Sequence, residues 1–157
     1  MSLFRGTVSA IPVKILVPYD SSDFSKLAFE KAVEMASKMD AKLHVLTVIG
    51  PDVNVSGMSY GRAQEALEEY ENEANEEFEG LVTSAKKKNL SIKTHIIHDQ
   101  SATSGINRFV EANAVDLVVI GSHGRTGLKS VLGSVATGVL NKSECPVMIV
   151  KMPKDSK

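Results

Sequence analysis

Short apolar runs alternate with helical patterns along this chain of 157 residues. The runs occupy residues 13–17, 43–49, 91–98, 116–120 and 146–150. Each run has the length of a buried strand, and between the runs apolar residues recur three and four positions apart, as in amphipathic helices. Strands separated by helices pair in parallel through helical crossovers. The pattern therefore predicts an α/β fold, a three-layer sandwich around a five-stranded parallel sheet.

Four helices are predicted between these strands. The first follows the capping residues 20–23, and the others cover residues 62–88, 101–113 and 133–142. The glutamates of the long second helix are interpreted as a solvated face rather than as a metal or partner site. The run 116–120 is the most continuously apolar and is placed centrally in the sheet. Ligands of such sheets bind beyond the carboxyl ends of the strands, which here means residues 18–20, 48–50, 98–100 and 121–124.

Composition excludes several classes of function. A net charge of −1 provides no basic field for nucleic acid, and the absence of Trp argues against a base-stacking surface. No apolar run is long enough to span a membrane, and the N-terminus lacks the features of a secretory signal. A single cysteine excludes an internal disulfide. We expect a cytoplasmic protein with an N-terminal extension over residues 1–11, one domain over 12–151 and a disordered tail over 152–157.

The segment from Val118 to Ser134 carries the strongest functional signal. It runs from a strand through a glycine-rich loop to a helix that opens at Gly133 and Ser134. Backbone N–H groups and a helix N-terminus directed at one spot form a phosphate site. Arg125 and Lys129 add positive charge. The alternative is an ordinary strand-to-helix connection that happens to be rich in glycine.

The chain resembles the universal stress protein family. The residues that carry the match are 15–22, 43–49, 121–128 with 133–135, and 145–150. The resemblance spans residues 12–151. It implies a Rossmann-like fold, similar to the adenine-nucleotide alpha hydrolases, with strand order 3-2-1-4-5.

The ATP-binding members of that family share a glycine pattern that this chain matches with one departure. The pattern is Gly, two residues, Gly, nine residues, then Gly followed by Ser or Thr. Gly121, Gly124, Gly133 and Ser134 fit it in type and order, but only eight residues separate Gly124 from Gly133. One residue fewer shortens the reach of the loop by up to about 3.5 Å. Either the loop tightens and still holds phosphate, or it binds a polyphosphate less well.

The resemblance implies ATP as the ligand, with or without Mg²⁺ or Mn²⁺, and a set of binding residues: Pro18, Asp20, Val48, Gly121, Gly124, Gly133, Ser134 and Val135. Asp20 would accept hydrogen bonds from adenine or ribose, beside a wall shaped by the proline. Backbone groups of Val48 would read the adenine edge, and Gly121 would let the ribose approach. The last four residues would donate N–H groups to the phosphates. Arg125 is added to the set from its charge and position.

Several of these residues have simpler roles. Asp20 is equally suited to capping the helix that follows it, and Ser134 to capping the last helix. His123 has no evident partner carboxylate and is interpreted as a loop histidine. His95 and His98 have an odd separation on one strand, which puts them on opposite faces and excludes a simple metal pair. No catalytic residue and no metal ligand is predicted.

Three functions follow from these observations. The leading one is a nucleotide-dependent stress or signalling module that binds ATP. The second is a slow ATPase or autophosphorylating protein, although the chain has no Walker lysine followed by Ser or Thr and no convincing base. The third is an interaction protein that has lost nucleotide binding. The resemblance also implies a homodimer, formed through the apolar edge strand at 146–150.

Overall fold

The computed structural model describes residues 13–50, 56–124 and 132–153. Nine elements occur in these residues. In chain order they are β1 (Lys14–Pro18), α1 (Asp23–Met39), β2 (Lys42–Ile49), α2 (Tyr60–Lys86), β3 (Ile92–His98), α3 (Ala102–Asn113), β4 (Leu117–Gly121), α4 (Ser134–Lys142) and β5 (Val147–Val150). The predicted alternation of strands and helices is confirmed, with boundaries that differ by one or two residues.

The strands form one parallel sheet in the order β3-β2-β1-β4-β5. This confirms the predicted fold class and strand order. β4 is an interior strand, but the central position belongs to β1, so the placement of residues 116–120 at the centre was off by one strand. Both strands read as continuous apolar runs because helices cover the sheet on both faces.

Two hydrophobic cores lie on the two faces of the sheet, which makes the three layers. Ile15 and Val17 point into the core under α1 and α2. Leu16 points the other way, into the core under α3 and α4. All three side chains are fully buried. The alternation of side chains along a strand therefore assigns each residue of β1 to one core or the other.

Helix α1 begins after a turn that orients Asp20. The Ser22 hydroxyl caps the helix by accepting from the Ser25 backbone N–H at 3.1 Å. Asp20 Oδ1 accepts from the Ser22 backbone N–H at 3.0 Å. The suggestion that Asp20 itself caps the helix was therefore wrong. Its carboxylate fixes the turn before the cap, because Asp side chains readily bond the backbone two residues on.

Helix α2 packs tightly only in its C-terminal half. Its buried residues are Phe78 and Ala85. Tyr70, which the helical period placed in the apolar stripe, is 42% exposed and lies against the cavity described below. A tyrosine can pack its ring on the apolar side of a helix while its hydroxyl reaches water, so the partial exposure of Tyr70 agrees with its place in the apolar stripe.

Parts of several sequence predictions fall outside the described residues. These are the N-terminal extension, the loop residues 51–55, Arg125 with the rest of 125–131, and the tail from residue 154. Within the described part of the chain, no helix has both the length and the apolar composition needed to cross a membrane.

Candidate functional site

A cleft opens where β1 and β4 separate. The two strands are paired at Ile15–Leu117 and Leu16–Val118, yet β1 continues to Pro18 and β4 to Gly121. Chain connections run in opposite directions from these two strands, so the gap is the switch point at which open α/β sheets bind ligands. The cavity there has a volume of about 980 Å³, the size of a small-molecule site.

The cavity is lined by every predicted binding residue that the structure describes. Arg125, the ninth residue of the predicted set, lies outside the described residues. The eight lining residues are Pro18, Asp20, Val48, Gly121, Gly124, Gly133, Ser134 and Val135. Residues from three strand ends and one helix N-terminus therefore share one space.

Asp20 lies directly against the glycine loop. A Cβ atom built on Gly124 would come within 2.8 Å of Asp20 Oδ2. The other carboxylate oxygen is held by the Ser22 N–H, so the group is oriented rather than free to rotate away. The end of β1 and the loop after β4 thus meet, although they are about a hundred residues apart in sequence.

The backbone of Val48 faces the same cleft. In a parallel ladder, the polar groups of successive residues point alternately to the two neighbouring strands. Leu46 O accepts from Tyr19 N on the β1 side, and Ile49 O accepts from Asp99 N on the β3 side. The alternation directs the N–H and C=O of Val48 to the β1 side. There β1 has already ended, so both groups border the cavity.

Helix α4 points its N-terminus at the cavity. The N-cap residue is Gly133, which has φ −63° and ψ 158°, and it makes no side-chain capping bond. Ser134 is the first helical residue, so its predicted role as the cap was wrong. Among the described residues, no side chain caps this helix, which leaves its first N–H groups and the positive end of its dipole for a ligand.

Gly133 also fixes where α4 begins. Its N–H donates to Ser122 O at 2.8 Å. A Cβ at this position would stand 3.1 Å from Ser122 O and 3.2 Å from His123 Cα, both backbone atoms. The helix N-terminus is therefore held against the end of β4 by a contact that a side chain would crowd.

Comparison with known proteins identifies the family. The model of the Universal stress protein family matches residues 13–151. The chain belongs to the universal stress protein family. It is 32% identical over 142 residues to Universal stress protein MJ0531 of Methanocaldococcus jannaschii, covering 90% of this chain and 83% of that protein. It is 33% identical over 147 residues to Universal stress protein YxiE of Bacillus subtilis, covering 88% of this chain and 98% of that protein.

Solved structures of the family share the fold. Universal stress protein UspA from Lactobacillus plantarum superposes with a TM-score of 0.81 at 25% identity, covering 90% of this chain and 99% of that chain. A family protein from Arabidopsis thaliana has AMP bound; its TM-score is 0.67 at 21% identity, with coverages of 92% and 94%. One from Archaeoglobus fulgidus is in complex with dAMP; its TM-score is 0.63 at 20% identity, with coverages of 90% and 98%.

Gly121 of this universal stress protein has a structural reason of its own. A Cβ there would lie 2.8 Å from the carbonyl carbon of Phe24 and 2.9 Å from its oxygen. The first turn of α1 therefore crosses β4 at a distance that only glycine permits. The packing of α1 accounts for this glycine without any ligand.

Sequence reasoning missed the wall of the cavity that α2 supplies. Tyr70, Glu73 and Glu77 of the acidic helix line the space. Tyr19, a buried residue next to Asp20, donates its hydroxyl to Glu77 Oε2 at 3.3 Å. Burial and the adjacent Glu77 charge raise the pKa of Tyr19 well above its ordinary value, so the phenol stays neutral. This position of α2 could not be predicted, because a long loop precedes the helix and nothing in the sequence determines which strand ends the helix covers.

His123 lies in the loop after β4, and His95 and His98 lie on β3, as the sequence suggested. His123 lines the cavity, with Nδ1 2.9 Å from Ser122 Oγ and its ring 5.0 Å from that of Phe24. His98 contacts Glu71 on α2, whereas His95 contacts the α3 side, so the two do lie on opposite faces. Among the described residues, no group of three or more His, Cys, Asp or Glu is placed to hold a metal ion.

Proposed function

We propose that this universal stress protein binds ATP in the cleft between β1 and β4 and acts as a nucleotide-dependent stress or signalling module. The observation that carries the proposal is the contact of Asp20 with the loop at Gly124, at a cavity that also receives the N-terminus of α4. That combination supplies hydrogen-bond acceptors for a nucleoside at one end and N–H donors for phosphate at the other. AMP and dAMP in structures of the same fold support the choice of an adenine nucleotide.

The charges around the cavity favour one orientation of the nucleotide. Glu73 and Glu77 of α2 line the cavity. These carboxylates repel phosphate, whereas the N-terminus of α4 attracts it. We therefore place the phosphates at Gly133–Val135, the ribose hydroxyls at Asp20 and the adenine edge at the exposed backbone of Val48.

The number of phosphates held depends on the loop from Gly124 to Gly133, which is one residue shorter than the family pattern. If the loop tightens around the phosphates, ATP binds more tightly than AMP, with Mg²⁺ or Mn²⁺ offsetting the charge of the triphosphate. Arg125 would add a further cation. If the shorter loop fails to reach the terminal phosphate, ATP and AMP bind equally, and titrations with both nucleotides separate the two cases.

Replacing Asp20 by asparagine should weaken nucleotide binding roughly tenfold. The amide keeps the shape and can still accept from the Ser22 N–H, but it lacks the charge that strengthens bonds to ribose hydroxyls, a difference of about 1.4 kcal/mol. Calorimetric titration with ATP measures the change. Asp40→Asn is the matched control, because Asp40 ends α1 with a φ of 54° that asparagine also adopts, and it does not line the cavity. An unchanged dissociation constant for Asp20→Asn would show that the Asp20 carboxylate does not contribute to nucleotide binding.

We also propose that the protein is a homodimer paired through β5. In the described sheet β5 is an edge strand, and Met148 on it is 39% exposed. An apolar edge strand normally has to be covered, and antiparallel pairing of residues 146–150 across a two-fold axis would cover it.

Light scattering should give twice the chain mass of 16.9 kDa, and Met148→Lys should return the measured mass to that of one chain. Met39→Lys is the control, since Met39 is 47% exposed and lies on α1, away from β5 in sequence. A monomeric mass for the unmodified protein would contradict the proposal.

A further inference from the structure

Two histidines meet end to end on the face of the sheet that α3 covers. His44 Nδ1 on β2 lies 2.9 Å from His95 Nε2 on β3. The ring planes are within 11° of parallel, and the ring centres are 5.2 Å apart. The difference between the two distances is about twice the distance from an imidazole centre to its ring nitrogen, so both nitrogens lie on the line that joins the ring centres. The rings therefore lie edge to edge in nearly one plane, with the two nitrogens head on.

This geometry fits a shared proton and does not fit zinc. A zinc ion needs lone pairs that converge on a point about 2.0–2.1 Å from each nitrogen. Head-on nitrogens 2.9 Å apart direct their lone pairs at each other instead. A hydrogen bond between neutral imidazoles uses the same geometry directly, because one nitrogen carries hydrogen and the other accepts it.

The surroundings of the pair oppose added charge. His44 is only 8% exposed, and the ring of Phe109 on α3 lies 4.8 Å from that of His95 and 6.4 Å from that of His44. Burial, then His95, then nearby lysines lower the pKa of His44 to about 4. Burial, followed by the charge of Lys93, also lowers the pKa of His95.

The charged side chains that lower the pKa of His44 are three lysines. They are Lys14 on β1, Lys42 on β2 and Lys93 on β3. The Nζ atom of Lys14 donates to Asn113 O at the end of α3 at 3.0 Å. Each strand in contact with the histidines thus contributes a positive charge, and α3 contributes an apolar ring and a backbone carbonyl. The positive charges of these lysines oppose protonation of His44.

We propose that His44 and His95 form an acid-sensitive latch that joins β2, β3 and α3, closed while the pair carries at most one extra proton and opened by a second. The first extra proton binds an outer nitrogen, His44 Nε2 or His95 Nδ1, and the central hydrogen bond survives. The second leaves N–H groups on both inner nitrogens, which then face each other with two positive charges. The rings must separate, and Phe109 loses the surface on which it packs.

Opening the latch would reach beyond the histidines. β3 is the other edge strand of the described sheet, so it is held by β2 on one side and by helix packing. Leu46 lies two residues after His44 on β2, and Ile106 lies one helical turn before Phe109 on α3. Both belong to the same core as Phe109 and line the cleft. Acid would therefore loosen β3 and α3 first. This inference does not depend on what the cleft binds.

The sign of the pH effect follows from the lowered pKa values. The unfolded chain takes up protons with the ordinary histidine pKa near 6.5, whereas the folded pair resists them. The neutral pair therefore leaves the free energy of unfolding at its maximum above about pH 6.5, and the free energy of unfolding decreases as the pH falls toward 4. Between pH 7 and pH 4.5 the pair should raise the unfolding equilibrium constant on the order of tenfold to a hundredfold.

The first test uses the unmodified protein without nucleotide. Nitrogen-15 NMR of the imidazole rings should show His44 and His95 as neutral, hydrogen-bonded tautomers at pH 6. Hydrogen exchange, corrected for its intrinsic pH dependence, should show β3 and α3 losing protection before β1 and β4 as the pH approaches 4.5. Two rings that titrate independently near pH 6.5 in the folded protein would overturn the proposal.

The second test removes the titrating pair. Urea unfolding at pH 7 and pH 4.5 should show that the double variant His44→Leu, His95→Leu loses at least a tenfold part of the pH dependence. Both histidines are replaced by an apolar residue so that no buried imidazole is left without a hydrogen-bond partner. His98→Gln is the control, because it removes a histidine of β3 from the opposite face and should keep the pH dependence of the unmodified protein. A double variant that folds and keeps that dependence would contradict the latch, and if it does not fold, the NMR titration decides.

Discussion

ATP at a hundred times its dissociation constant should raise the free energy of unfolding by about 2.7 kcal/mol, and Gly124→Val should remove this gain. The valine side chain would start 2.8 Å from Asp20 Oδ2, in the space between the end of β1 and the glycine loop. Asp20 cannot easily move aside, because its other oxygen holds the Ser22 N–H. The side chain would therefore occupy the place proposed for the nucleotide, and we expect affinity to fall at least a hundredfold.

Thermal unfolding with ATP, ADP, AMP and GTP measures this effect. Gly61→Ala is the matched control, because a Cβ at Gly61 meets nothing within 4 Å and this glycine does not line the cavity. The control should retain the full nucleotide-dependent shift. If none of the four nucleotides stabilises the unmodified protein at millimolar concentration, the cleft does not serve as a nucleotide site.

Replacing Gly121 by alanine should lower the free energy of unfolding by about 3 kcal/mol, at the upper end of the usual cost of overpacking. The added methyl group would overlap the backbone of Phe24, and neither β4 nor the start of α1 can shift without disturbing a fully buried core. The effect arises from packing, so it should appear without any ligand. Urea unfolding at pH 7 gives the size of the loss.

Gly80→Ala serves as the contrasting variant. Gly80 lies inside α2 with nothing within 4 Å of the added atom, so alanine should stabilise the helix by about 0.5–1 kcal/mol. Equal effects of the two substitutions would show that helix or strand propensity, and not the contact with α1, determines the need for glycine at position 121.

The alternation of strands and helices was predictable because local patterns determine it, whereas the strand order in the sheet was implied by the family resemblance. The buried runs of β1 and β4 and the period of α1 each identify their element without knowledge of the rest of the chain. The strand order that the family resemblance implies puts the first and fourth strands side by side, and from it we predicted that Asp20 and Gly121 flank one crevice. The capping residues were harder. The observed caps Ser22 and Gly133 lie within the predicted stretches 20–23 and 133–134, but the sequence did not single them out, because neighbouring residues had equally suitable chemistry.

Contacts that depend on register could not be predicted. His44 and His95 lie on different strands, and only the observed pairing of Leu46 with His95 makes them diagonal neighbours. A shift of one residue in β3 would put His95 on the other face. The α2 wall of the cavity was missed for a related reason, because the angle at which a helix follows a long loop is set by tertiary packing at Phe78 and Ala85.

We propose that the cleft between β1 and β4 binds an adenine nucleotide with its phosphates at the start of α4. Titration of nitrogen-15-labelled protein with ATP, followed by the backbone amide signals, tests this most directly. We expect the largest shifts at Gly124, Gly133, Ser134 and Val135, with smaller ones at Val48. Signals that stay unmoved at millimolar ATP, or shifts confined to residues away from this cleft, would contradict it.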